Sequence, residues 1–172
     1  MRRHRRSSGG RERMGGPEGV GRVERGCRQA SPAEERRPEE PVTLLDTHVV
    51  YWLAVHPERL SRAATRAIAA ADRSDGVAIS TISLWELARL IDKGRIRVDG
   101  TTERFLIRLG ERPGMTLLEI TPQVAALAVQ FPPDFPADPG DRIIAATARA
   151  HGIPLITRDG ALQDSPLLRT IW

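Results

Sequence analysis

From residue 42 onward the chain alternates short, densely apolar runs with longer stretches in which apolar residues recur every three or four positions. The short runs include Val42–Leu45, Val77–Ile79, Met115–Ile120 and Ile153–Thr157. Runs this brief, rich in β-branched and aliphatic residues, read as strands buried on both faces, as in a parallel sheet. The longer stretches read as helices. Val49 to Leu53 opens the first, and Ser61 caps a second whose inner positions are Ala63, Ala64, Ala67, Ile68 and Ala71. Thr81 to Ile91 is a third, ended by Gly94 after Lys93. Thr101 caps a fourth that runs to about Gly110. Thr121-Pro122 starts a fifth that reaches about Gln130, and a small-residue helix runs from Pro139 to His151-Gly152. Arg95 to Val98 alternates as a short extended segment, and Leu167 to Trp172 is expected to add an edge strand. Strands separated by helices predict an α/β fold around a parallel sheet.

The acids fall at the boundaries of this pattern. Asp46 stands where the first apolar run stops, and Asp159 repeats that placement after Ile153–Thr157. In open α/β sheets, ligands bind in the crevice beyond the carboxyl ends of the strands. Asp46 therefore either caps the helix that follows or holds something in that crevice. Glu86 sits in the first two turns of an otherwise apolar helix. It is either the capping-box partner of Ser83, at S-x-x-E spacing, or a wall carboxylate that needs a partner. Asp138 fits the N-cap of the last long helix and Asp141 its first turn, more acid than capping requires. Gly140 between them is expected to loosen the approach to Asp141. A parallel sheet would gather these edges into one crevice, where several carboxylates repel unless a cation neutralises them. Hard oxygen donors without Cys or clustered His suit Mg²⁺ or Mn²⁺, ions able to activate water against a phosphodiester.

Charge separates the first 41 residues from the rest. They hold 11 Arg and 7 Glu, while the remainder holds 15 basic and 15 acidic residues. Residues 1–41, rich in Arg, Gly, Glu, Ser and Pro, cannot bury enough surface to offset their ordering entropy and are expected to be a disordered leader, dispensable for folding. An upstream misread start would explain it, with Val42 as initiator. The net-neutral remainder must engage any nucleic acid through local arginines, and Arg142 and Arg158 are nearest in sequence to the acids. The single cysteine, Cys27, excludes an internal disulfide, and no apolar run reaches the ~20 residues of a membrane span. A cytoplasmic protein is expected. Trp52, Leu90, Ile96 and Phe105 lie beside arginines as either core or partner-facing surface, with core the better single assignment. His48, His56 and His151 are assigned no role.

LLDTHVVYW, ISTISLWELARL, DPGDRIIAATA and LITRDGAL together resemble the four successive motifs of the PIN-domain nucleases, specifically the VapC type of toxin ribonuclease. The resemblance covers about Val42 to Trp172. It implies a three-layer α/β/α fold with a short central parallel sheet, divalent-metal-dependent cleavage of RNA, a cognate antitoxin protein and a homodimer. Asp46, Glu86 and Asp141 match the three central family acids, Asp159 the more variable fourth, Asp138 a frequent extra acid, and Thr157 a hydroxyl position beside the site. Other readings fit less well. A haloacid-dehalogenase-like hydrolase needs a second acid where His48 stands, and a dinucleotide-binding turn needs glycines that this one lacks. The remaining alternative is a catalytically silent PIN-like module that only binds protein or RNA.

Overall fold

The computed structural model describes residues 43–74 and 76–172, so the expectations for the leader and for Val42 lie outside the described residues. Strands β1 (Thr43–Leu45), β2 (Val77–Ser80), β3 (Met115–Leu118), β4 (Leu155–Ile156) and β5 (Thr170–Ile171) form one sheet in the order β3-β2-β1-β4-β5. Every pairing is parallel. Ala78, Leu44 and Leu155 are register partners and form one row across the centre; Ile79, Leu45 and Ile156 form the next. Successive side chains on a strand point to opposite faces, so the two rows feed two separate cores.

Helices cover both faces. Leu45, Ile79 and Ile156 pack with α1 (Thr47–Val55), α2 (Arg62–Ala71) and α4 (Thr102–Gly110) through Val49, Val50, Trp52, Ile68, Phe105 and Leu109. Leu44, Ala78 and Leu155 pack with α5 (Pro122–Val129) and α6 (Pro139–His151) through Val124, Ala128, Ile144, Ala145 and Ala148. Helix α3 (Thr81–Asp92) continues straight from β2 and joins both cores, Leu87 in the first and Ile82 against the second. The short α7 (Gly160–Gln163) follows β4. This is the expected three-layer α/β/α arrangement around a short parallel sheet.

The differences from expectation are at element ends. The third strand stops at Leu118 and not Ile120, because its neighbour β2 ends at Ser80 and turns into α3, leaving nothing to pair with. The fourth is shortened at both ends, to Leu155–Ile156; at its start Pro154 has no N–H to donate, although its carbonyl still accepts from the Leu44 N–H. Arg95–Val98 forms no strand, and Ile96 and Val98 instead pack from a turn onto the first core. Helix α1 starts at Thr47, two residues before the expected Val49. Trp52 and Phe105 are core residues; Leu90 and Ile96 are half-buried.

Leu45 is fully buried at the centre of the sheet, so Leu45→Ala removes apolar area and leaves a cavity that rigid strands close poorly. The expected loss is about 2–5 kcal/mol. Urea denaturation should show it as a lower midpoint with an unchanged slope.

Candidate active site

The parallel order places the carboxyl ends of β1, β2 and β4 side by side, and the residues that follow them line one cleft of about 620 Å³. Asp46, Glu86, Asp138, Asp141 and Asp159 all line it. A larger cavity of about 850 Å³ is lined by Arg97, Phe105, Arg108 and Arg112 among others, with only Asp99 and Glu111 as acids, and gathers no such group. The chemistry therefore points to the smaller cleft.

The two readings of Asp46 are separated by its hydrogen bonds. It occupies the N-cap position of α1 but makes no side-chain capping bond there. Its carboxylate, 5% exposed, instead accepts from Thr157 Oγ1 at 2.6 Å. Thr157 in turn accepts the Asp159 N–H at 3.0 Å, so one buried hydroxyl ties the acid after β1 to the loop after β4. Asp159 is exposed and caps α7, accepting from the Leu162 N–H at 3.0 Å.

Glu86 is separated in the same way. The N-cap of α3 is Ser80, so Ser83 lies inside the helix and no capping box forms. The Glu86 carboxylate accepts from Thr47 Oγ1 at 2.5 Å, and Thr47 is also hydrogen-bonded with the buried Ser83 hydroxyl at 2.9 Å. A carboxylate can only accept, so the Thr47 proton goes to Glu86 and Ser83 supplies the second bond.

Asp138 caps α6, accepting from the N–H groups of Gly140 and Asp141 at 2.8 and 3.4 Å, which leaves Asp141 in the first turn. Gly140 does not loosen this turn. It is buried in α6, and an added Cβ would collide with the Glu86 carboxylate and press on Asp138. The glycine is a matter of space: it lets Glu86 come down onto the start of α6.

Arg142 does not line the cleft, which corrects its expected place beside the substrate. Its Nε donates to the Pro136 carbonyl at 2.8 Å, and its terminal nitrogens donate to the carbonyls of Phe131, Pro132 and Phe135. The Pro-rich loop presents inward carbonyls and two stacked rings, Phe131 and Phe135, whose centroids are 4.0 Å apart. A planar five-donor guanidinium satisfies that loop as no shorter side chain could. Arg158 does line the cleft, lying over the Trp52 ring at 5.8 Å. Arg89, Lys93 and Arg95 join it there, unassigned from sequence. His48 also faces the cleft, beside Asp46 and Glu86; His56 pairs with Glu58 away from it, and His151 ends α6.

Among the described residues none of these five acids has an ion-pair partner. Burial raises the Asp46 carboxyl above its ordinary range, against the Thr157 bond, which favours its charged form. Burial likewise raises Glu86, with Asp46 and Asp138 adding repulsion. Asp141 is pushed up to about 7, first by burial and then by the charges of Asp46, Asp138, Asp159 and Glu86. Among the described residues, no three His, Cys, Asp or Glu side chains stand close enough together to enclose an ion. In donor type and in charge, the set fits a hard divalent cation.

The raised Asp141 carboxyl fixes the sign of a pH effect. The native state binds its proton more tightly than the unfolded chain, so this group's stabilisation is present at low pH and is lost as pH rises from about 4 to about 7. In chelator, the melting temperature of wild type relative to Asp141→Asn should therefore fall across that window. Parallel profiles for the two proteins would contradict it.

The model of the PIN domain family matches residues 43–165, a span that includes every acid of the cleft. Ribonuclease VapC22 of Mycobacterium tuberculosis is 44% identical over 131 residues, covering 75% of this chain and 97% of that relative. Among solved structures, VapBC2 from Rickettsia felis, bound to a DNA fragment from its promoter, superposes with a TM-score of 0.59. It has 15% identity over 75% of this chain and 96% of its own. A toxin-antitoxin complex from Klebsiella pneumoniae gives a TM-score of 0.52 and 25% identity, over 73% and 93%. By the family match over most of the chain and the identity to Ribonuclease VapC22, the chain belongs to the PIN-domain family.

Proposed function

We propose that this protein is a divalent-metal-dependent endoribonuclease, the toxin of a toxin-antitoxin pair, and that Asp46, Glu86 and Asp141, assisted by Asp159, hold the ion. The observation that carries the reading is the convergence of these acids in one cleft, without ion-pair partners among the described residues. The identity to a relative named as a ribonuclease and the fold shared with toxin-antitoxin complexes support the rest.

Mg²⁺ or Mn²⁺, when bound, supplies Lewis acidity toward a phosphodiester and lowers the pKa of a coordinated water. The chain's own residues set where that happens. Thr157 fixes the rotamer of Asp46 from β4, and Thr47 with Ser83 fixes Glu86 from α1 and α3. Gly140 keeps the space between Glu86 and α6 open. Asp141, its carboxyl pushed up to about 7, would complete the set as a ligand in its ionised form. No side chain is required as a nucleophile. Asp138 acts as the cap that orients Asp141, and Arg158 offers a cation to the substrate from the wall of the cleft.

An antitoxin protein is the proposed partner, and a homodimer the proposed state. Ile107, Leu117 and Ile120 are exposed apolar side chains available to protein contacts. Among the described residues no helix is long and apolar enough to cross a membrane.

With Mg²⁺ the protein should cut total cellular RNA at a small number of sites, and EDTA should abolish the cuts. Asp46→Asn and Asp141→Asn should each remove cleavage. Thr157→Val, which frees Asp46 without touching its charge, should cost about 10–100-fold in metal affinity or rate. Equal cutting by wild type and Asp141→Asn would place the activity elsewhere. Folded wild type without cleavage would favour a silent binding module.

A further inference from the structure

The acids of the cleft leave its cations without a use. Arg89, Lys93 and Arg95 line the same cleft from α3 and the turn after it. Residues three, four and seven apart share a helix face, so Glu86, Arg89, Leu90 and Lys93 form one row along α3. At 1.5 Å per residue that row carries positive charge to ~10 Å from Glu86. All three cations are exposed, and among the described residues none pairs with any of the five carboxylates in the cleft. A structural role would be to pair with those acids, and among the described residues none does.

Arg89 lies instead over the ring of Trp85, 5.1 Å from its centroid. Trp85 is 56% exposed, although α3 is otherwise packed into both cores. An indole turned outward, next to a guanidinium that enters the cleft, is a flat surface on which a base can stack. On the opposite wall Arg158 is the lone arginine, already seated on Trp52. The cleft is therefore lopsided, with three cations along its α3 side, and Trp85 stands just outside the lining, against Arg89.

We propose that Trp85, Arg89, Lys93 and Arg95 form a track for single-stranded RNA leading away from the bond that is cut. The cations take successive phosphates and Trp85 takes the face of one unpaired base. This rests on the ribonuclease reading and names the side from which the substrate strand is held. Duplex is disfavoured, because a paired base already stacked in a helix cannot lie on Trp85.

The test uses the full chain carrying Asp46→Asn to block cleavage, and a fluorescein-labelled unstructured 12-nucleotide RNA as probe. Binding is followed by anisotropy over a range of salt. Removing three phosphate contacts with Arg89→Ala, Lys93→Ala and Arg95→Ala should make the slope of log K against log salt shallower by about 2. Trp85→Ala should weaken the single strand about tenfold and leave a hairpin duplex nearly unaffected. All four side chains are exposed, so melting temperatures should not move. In the cleaving protein the triple change should raise KM, a split that a folding defect would not produce. An unchanged salt slope, or equal losses for single strand and duplex with Trp85→Ala, would overturn the track. A triple variant that keeps RNA binding but loses binding of polyglutamate would assign the row to an acidic protein partner and also overturn it. Failure of wild type to cleave any RNA with Mg²⁺ would instead count against the ribonuclease reading.

Discussion

The burial of several carboxylates in one cleft, with the mutual repulsion it entails, is the constraint that the site is built around. Five acids line one cleft at the carboxyl edge of a parallel sheet, and among the described residues none of them has an ion-pair partner. Their effect is clearest at Asp141, held near a pKa of about 7 by burial and by four neighbouring charges. A fold that only needed a surface would place such groups in water, where each is solvated separately. Here the topology does the reverse, bringing β1, β2 and β4 together so that the residues after them must meet.

The surrounding groups make that meeting possible. Two threonine hydroxyls each hold a carboxylate in a single direction, Thr157 on Asp46 and Thr47 on Glu86. Gly140 leaves room for Glu86 against α6, and Asp138 spends its own charge on the first N–H groups of that helix. Arg142, bound to four carbonyls, holds the Pro-rich loop from which α6 begins. On the proposed reading, these oriented carboxylates with raised proton affinity would hold a divalent ion, which would relieve their mutual repulsion.

Much of this could be read from the sequence, for identifiable reasons. The layers and the order of elements follow from apolar runs and helical periods, a local signal. The acids could be located because each sits at the end of an element, and an acid after a buried strand has few places to go. Whether Asp46 capped a helix or faced the cleft could not be decided locally, because the deciding partner, Thr157, is 111 residues away. Glu86 depended in the same way on Thr47, 39 residues away. Arg142 looked like a substrate contact because it follows Asp141, but neighbours on a helix point about 100° apart and its side chain turns to the loop. Arg89, Lys93 and Arg95 carried no signal beyond charge until α3 and its turn were placed along the cleft wall.

The most direct measurement is the protonation of Asp141 itself. Carboxyl ¹³C chemical shifts of the aspartates, followed by NMR against pH with and without Mg²⁺, read the repulsion and its relief at one atom. The account predicts a midpoint near 7 without metal, and one well below that when Mg²⁺ is present, with the Asp46→Asn protein showing a smaller response to the ion. An Asp141 carboxyl that titrates in the ordinary range without metal, or one near 7 that ignores Mg²⁺, would contradict it.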